Sequence, residues 1–449
     1  MTPDARIKAT IELLGHIAKS PVPMDTTVGD YMRGRRYIGA GDRANIAERV
    51  YDIMRARARL GWWLDKAGAR DTPRSRVILW LALAELKSGA FDIAELFAGG
   101  KYGAETLTQE EIALAASLKD KPLDDPEMPL AVRVECPPDY EDRLCAAFGE
   151  AFEAEMRAMI AGATLDLRVN TAKASRDEVQ AALAKDRVPT DPTPYAVSGL
   201  RARHKAYLAK TKAFVKGWID IQDEGSQLTA QICQARPGMQ VIDYCAGAGG
   251  KTLALADAMR NKGRIVAMDT DSRRLEKARP RFKRAGVSDI IEVRALDDER
   301  SRKWLKRQKG TFDLALADVP CTGTGTWRRN PDMRWRRYGP PLEELLRVQA
   351  EILDRIARTL KPGGRLVYAT CSLLPEENER QIEAFIERHP DFAPVIPDAP
   401  GASADNPYMR LTPFRHNTDG FFAAVLERRS SVDPLAGSVE HAGNQQSGA

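Results

Sequence analysis

Two cysteines stand out by position. Cys321 lies in ADVPCTGTGTWRRNPDMRW (Ala317–Trp335), and Cys371 lies in YATCSLLPEENE (Tyr368–Glu379). Each follows an apolar run with strand character, FDLALAD and GRLVYAT, so each is expected just past a strand end. A lone cysteine is ordinarily a small buried hydrophobe. Two at the ends of the fourth and fifth strands, beside Asp318 and Pro320, point instead to chemistry. The reaction that needs such a site is methylation of a poorly nucleophilic ring carbon. Carbon 5 of cytosine does not accept a methyl group directly. A thiolate adding at carbon 6 makes an enamine-like intermediate and activates carbon 5. After transfer the carbon-5 proton must leave and the thiol must be expelled. The residue types leave open which cysteine attacks.

Methyl transfer needs a donor, and VIDYCAGAGGKT (Val241–Thr252) offers a place for one. A strand ends at Asp243, a glycine-rich turn follows, and a helix begins near Thr252. Gly247, Gly249 and Gly250 let the backbone approach a ligand closely, and the helix N-terminus presents free N–H groups. The spacing is neither GxGxxG nor a Walker sequence. Asp269 ends the next strand, 20 residues past Gly249. A carboxylate there can accept hydrogen bonds from both ribose hydroxyls. Asp297–Asp298 follow the third strand, where either could meet an adenine amino group, and Asp318 ends the fourth. This array suits a nucleoside with a charged amino-acid tail, S-adenosylmethionine. It implies nucleoside binding rather than phosphate binding.

The elements that must position these groups read as a Rossmann-like α/β domain. From Met239 the strands MQVIDY, RIVAMD, DIIEV, FDLALAD and GRLVYAT alternate with helices at Thr252–Met259, Ser272–Arg284 and Glu343–Leu360. Such alternation predicts a parallel, doubly wound sheet. FFAAVLE (Phe421–Glu427) closes it. The stretch to about Asp120 reads as all helical, with Ile7, Ile11, Leu14 and Ile17 at helical spacing and Val77–Leu86 as a central buried helix. Thr108 and Glu111 form a capping-box pattern. A Pro- and acid-rich linker, Lys121–Leu130, leads to a helix at roughly Tyr140–Ala161, a strand LDLRVN and a helix Ser175–Ala184. The expected division is a helical domain over 1–128, a linker with a small α/β subdomain over 129–220, the Rossmann-like domain over 221–428, and a disordered polar tail over 429–449.

Composition bounds the class. The chain has 449 residues, 43% of them hydrophobic, enough for a packed core in each of two or three domains. Its six cysteines form no CxxC pair and have no histidine at ligand spacing, which argues against a disulfide framework or any metal site. The longest clean apolar run, Val77–Ala84, is far short of the roughly 20 residues that span a bilayer. MTPDARIKAT lacks a secretory pattern. A cytoplasmic protein without membrane contact is expected, and nothing demands more than a monomer. The net charge of +5 says less than its distribution. One arginine group runs from Arg33 to Arg59. A second, Arg273–Arg284, reads as a solvated helix face. A third, Arg328, Arg329, Arg334, Arg336 and Arg337, interleaved with Trp327, Trp335 and Tyr338, reads as an RNA-contacting loop.

These motifs together resemble the Sun/RsmB-like family of RNA cytosine-5 methyltransferases. The resemblance rests on DYCAGAGGKT, DVPCTGTG, ATCSLLPEENE, the closing GFF strand and the entry QDEGSQLTAQI (Gln222–Ile232), and it covers about Leu165 to Leu426. More weakly, Thr26–Arg55 resembles the NusB-like RNA-binding domain of the bacterial ribosomal-RNA subgroup. The resemblance implies that Cys371 is the nucleophile and that Cys321 assists breakdown of the covalent adduct. It places Asp318 near both cofactor and cytosine, and Lys251 near the base. It assigns Cys245, Ala246, Gly247, Ala248, Gly249, Gly250, Lys251, Asp269, Asp297 and Asp318 to S-adenosylmethionine. DNA cytosine-5 enzymes attack with the cysteine of a Pro-Cys pair, so without the ATCS match Cys321 would be preferred. The family's usual CAAPGGKT is CAGAGGKT here, and Val319 and Thr322 stand where Ala and Ser are common. The implied substrate is small-subunit ribosomal RNA. Transfer RNA, or a non-catalytic RNA-binding assembly role, are the rival readings; intact Cys371, Cys321 and Asp318 speak against the last.

Overall fold

The computed structural model describes residues 1–86 and 92–430, so the expected disordered tail lies, from 431, outside the described residues. The N-terminal domain is helical, built from Pro3–Lys19, Met24–Gly34, Ala40–Arg55, Arg57–Lys66, Pro73–Trp80 and Gln109–Ser117. Their apolar stripes meet in one core containing Leu13, Ile46, Val50, Leu60, Ile78 and Leu81. The predicted helix over Val77–Leu86 is not continuous: the α-helix ends at Trp80 and a wider π turn runs from Leu81 to Glu85. The Thr108–Glu111 capping box is present, with each side chain bonded to the other's backbone N–H.

The linker ends in helices Leu130–Arg133, Pro138–Phe148 and Phe152–Ala158. The single helix expected over 140–161 breaks at Gly149, whose φ of 53° is costly for other residues. These helices bury Leu144, Phe152 and Met156 against Trp327, Leu373 and Leu374 of the C-terminal domain, so they belong energetically to its catalytic edge. Next, strands β1 (Leu165–Val169), β2 (Thr190–Pro192), β3 (Gly199–Ala202) and β4 (Ile219–Ile221) form an antiparallel sheet in the order β2-β3-β1-β4. Helix Arg176–Lys185 packs Val179 and Leu183 on it.

The C-terminal domain holds an eight-stranded sheet, seven strands in the order β10-β12-β9-β8-β5-β6-β7 and an eighth, β11, hydrogen-bonded to β12. The strands are β5 (Gln240–Asp243), β6 (Arg264–Asp269), β7 (Ile291–Ala295), β8 (Phe312–Asp318), β9 (Leu360–Thr370), β10 (Phe392–Val395), β11 (Met409–Leu411) and β12 (Phe421–Arg428). β7, β6, β5, β8 and β9 are parallel, as the alternation predicts. The closing strand is different: β12 is antiparallel and inserted between β9 and β10. Chain order reverses between β5 and β8, and ligands bind at the strand ends beside such a switch point. Among the described residues no helix is long and apolar enough to cross a membrane.

Candidate active site

The cofactor-side groups collect where β5 and β6 end. Gly247 and Gly249 both have positive φ, 55° and 80°, and a side chain at Gly249 would meet the Phe282 ring at 2.5 Å. Gly250 then opens helix Gly250–Ala258. Asp269 ties the loop down: one oxygen accepts from Gly247 N at 2.8 Å, the other from Asp271 N at 2.8 Å. Asp243 is fully buried and accepts from Thr252 Oγ1 at 2.6 Å, while its second oxygen has no partner among the described residues. Burial pushes its carboxyl up to about 7. Cys245, in the same loop, is held well above the usual thiol range by burial and then by Asp318, Asp243 and Asp269, so it stays protonated. Asp298 caps helix Glu299–Lys306 by accepting from Arg300 N and Ser301 N. Asp297 is exposed and has no hydrogen-bond partner among the described residues. Of the two carboxylates, Asp297 is therefore the one open to a ligand.

The cysteine pair lies one strand over. β8 and β9 are in register with Asp318 opposite Ala369, so the residues just beyond both strands meet. Cys321 Sγ is 3.4 Å from Cys371 Sγ. Lys251 Nζ reaches across from the cofactor loop to Asp318 Oδ2 at 2.6 Å. Burial alone would lower the Lys251 pKa, but Asp318, Cys371 and Asp243 outweigh it and the net shift is upward. The Cys321 thiol is pushed well above its ordinary value, first by its bond to Cys371, then by burial and the nearby Glu377 carboxylate.

The scaffold of this pair comes from Glu377, Asn378 and Gly325, to which the sequence assigned no role. Glu377 is fully buried and accepts from Thr322 N at 2.9 Å and Gln349 Nε2 at 3.0 Å, clamping the Pro-Cys turn. Asn378 accepts from Thr370 Oγ1 at 2.6 Å and donates to Ser372 O at 3.0 Å, holding the chain on both sides of Cys371. Gly325 N donates to Cys371 O at 2.9 Å, and a side chain there would meet Gly420 O at 2.3 Å. A run of PEEN after a strand end was the available signal for the first two. Nothing local marks Gly325, because its neighbours arrive from β12.

Comparison with known proteins was decisive at this point. Residues 230–427 match the family described as 16S rRNA methyltransferase RsmB/F, and residues 140–206 match its ferredoxin-like domain. The ribosomal RNA small subunit methyltransferase B of Klebsiella pneumoniae is 32% identical over 412 residues, covering 86% of this chain and 90% of that protein. The chain belongs to the RsmB/F methyltransferase family. A probable small-subunit methyltransferase B from Synechocystis is 37% identical over 59% of this chain, and that match spans 60% of the relative's length. The crystal structure of PH0851 superposes with a TM-score of 0.76 at 28% identity, covering 95% of this chain and 99% of that one. An RsmB/F methyltransferase uses S-adenosylmethionine, and the strand-end carboxylates, the open glycine turn and the unpartnered buried acceptor on Asp243 fit such a group.

The arginine loop is where expectation and structure part. Arg328 is 2% exposed and donates to Asp419 Oδ1 at 2.7 Å; Arg329 donates to Asp419 Oδ2 at 2.8 Å and to Asp223 at 3.2 Å. Arg334, 3% exposed, donates to the Glu135 and Met159 carbonyls, and Arg336 to those of Ile17 and Ser20. Trp327 is buried in the core behind Cys371. Four of the five arginines are held by the fold: Arg334 and Arg336 fasten the linker helices and the N-terminal domain, while Arg328 and Arg329 pair with Asp419 and Asp223 within the C-terminal domain. Carboxylates complement them. Asp332 accepts from Met24 N at 2.8 Å and buried Glu135 from Ala58 N at 2.8 Å, each at a helix N-terminus of the N-terminal domain. The second cluster is not wholly solvated either: Arg281 and Arg284 both pair with Asp220 and dock the small sheet. In the first, Arg49 pairs with Glu85 and Arg59 with Glu135 and Asp124, while Arg33 and Arg36 remain exposed.

Proposed function

We propose that the chain methylates carbon 5 of a cytosine in small-subunit ribosomal RNA, with Cys371 as nucleophile and Cys321 as its helper. The observation that carries this reading is the Cys321–Cys371 contact of 3.4 Å at the ends of β8 and β9, flanked by the Lys251–Asp318 ion pair. Methylation of an exocyclic amine or a hydroxyl has no use for paired thiols. Cytosine carbon 5 has, because only an adduct at carbon 6 makes it nucleophilic. S-adenosylmethionine would supply the electrophilic methyl group. Asp269 would take its ribose, Asp297 its adenine amino group, and Cys245–Lys251 would wrap the rest.

The residues then divide the work. Cys371 attacks carbon 6 as the nucleophile, with Cys321 beside it as the helper. Asp318, 31% exposed beside Lys251, would hold the pyrimidine edge. After methyl transfer solvent takes the carbon-5 proton, the C–H electron pair re-forms the carbon 5–carbon 6 double bond, and the carbon 6–sulfur bond breaks with Cys371 leaving as thiolate; Cys321 assists this breakdown. The target base must leave its stack to reach the pair. The helical domain over 1–128 and the small sheet are proposed as RNA-holding modules, with the exposed Arg33, Arg36 and Tyr37 on the former.

The test is bisulfite sequencing of total RNA with and without the gene. The expected result is loss of one 5-methylcytosine from small-subunit ribosomal RNA. Loss from transfer RNA alone, or from no RNA, contradicts the proposal.

A further inference from the structure

One arginine of the Arg328–Arg337 run is not used as a fastener. Arg337 is exposed and makes no hydrogen bond or ion pair among the described residues. It lines a cavity of about 340 Å³ together with Tyr140, Cys321, Trp335 and Tyr338. Cys321 is shared between this cavity and the reacting pair, which puts the cavity directly beside the place where the target base must sit. The Tyr338 hydroxyl is fixed by donating to Asp332 at 2.7 Å, so its ring is a rigid wall. Trp335 keeps a buried indole N–H with no acceptor among the described residues. Arg337 thus brings a positive charge to the lining of an aromatic hollow that it shares with Tyr140.

When a base is extruded into an active site, its chain neighbours lose a stacking partner. Aromatic side chains and a guanidinium are the groups that replace it, and a volume near the lower end of ligand pockets, roughly 300 Å³, holds one nucleoside. None of the cofactor-side residues Asp243–Lys251 or Asp269 lines this cavity. Asp139, which does, disfavours a second phosphate and so a continuous backbone track. We propose that this cavity binds the nucleotide adjoining the target cytosine, with its base against Tyr140, Trp335 and Tyr338 and its phosphate on Arg337. The inference rests on the reading of the chain as an RNA cytosine-5 methyltransferase.

The experiment is steady-state methylation of a transcribed 16S ribosomal RNA, and of short synthetic RNAs centred on the modified cytosine, by the wild type and by Arg337→Ala and Arg337→Lys. Because Arg337 has no partner in the fold, Arg337→Ala is expected to melt with the wild type. Its KM for RNA rises roughly five- to tenfold with kcat within about twofold, its log–log salt slope falls by about 1, and Arg337→Lys recovers part of the loss. An abasic residue on one side of the cytosine raises the wild-type KM about tenfold, and on the other side does not. An unchanged KM in Arg337→Ala, or indifference to abasic residues on both sides, overturns the cavity assignment while leaving the function intact. A wild type that methylates neither RNA overturns both.

Discussion

The segments Tyr244–Lys251 and Trp327–Tyr338 are both rich in ligand-binding groups, and they use them in opposite directions. In the first, the chain gives itself only what holds the turn open: Asp269 secures Gly247, and Asp318, Asp297 and one oxygen of Asp243 are left without full partners. In the second, every guanidinium group but that of Arg337 is taken up by the fold. Arg328, Arg334 and Arg336 bond groups 91, 199 and 319 residues away. The lesson is that a charged group's role depends on whether the fold brings it a partner. The fold satisfies four of these five arginines and leaves the carboxylates waiting.

The sharpest way to break that contrast is Arg328→Ala. Removing one side of a buried, hydrogen-bonded pair leaves Asp419 with only the more exposed Arg329 and costs on the order of 3 kcal/mol. The expected outcome is a large drop in the urea midpoint, with the methylation rate per folded molecule and its salt dependence unchanged. Retained stability with weakened RNA binding would return Arg328 to the RNA surface.

A second test bears on the cofactor side. The Asp243 carboxyl is pushed up to about 7, chiefly by burial, so the folded state favours the protonated acid. Such a group contributes stability below the ordinary carboxylate range, and that contribution is lost as pH rises through about 7. Asp243→Asn keeps an acceptor for Thr252 and cannot ionise. Without ligand, the wild type is therefore expected to lose on the order of 2–4 kcal/mol relative to Asp243→Asn between pH 5 and 8.5. Parallel stability curves over that range would contradict the assignment.

The smallest expected effects separate two neighbouring carboxylates. Asp298→Ala removes a helix cap worth about 1 kcal/mol and leaves the cofactor KM unchanged. Asp297→Ala leaves stability unchanged and raises the cofactor KM about tenfold, the loss of one good hydrogen bond. The reverse pattern would reassign the adenine contact to Asp298.

What could be read from the chain in advance follows the same division. Strand ends, the glycine turn and the cysteines were legible because β–α alternation is local and places such groups on one edge by rule. The antiparallel insertion of β12 and the break of Val77–Leu86 at Trp80 were not, since tertiary packing decides both. The ATCS motif located Cys371, yet Glu377 and Asn378, five or more residues further on, proved to hold its turn in place. Spacing alone does not reveal that PEEN folds back onto the preceding strand end. The arginines misled because their composition is that of an RNA-binding loop, while the acceptors that hold them come from segments far away in the chain.

The central claim is the unequal division of labour between the two cysteines, and covalent trapping tests it most directly. Each single cysteine variant is incubated with 16S ribosomal RNA and S-adenosylmethionine and resolved on a denaturing gel. Cys321→Ala is expected to accumulate a protein–RNA adduct, and Cys371→Ala to form none and to methylate nothing. An adduct in Cys371→Ala, absent from Cys321→Ala, would reverse the roles and contradict the account.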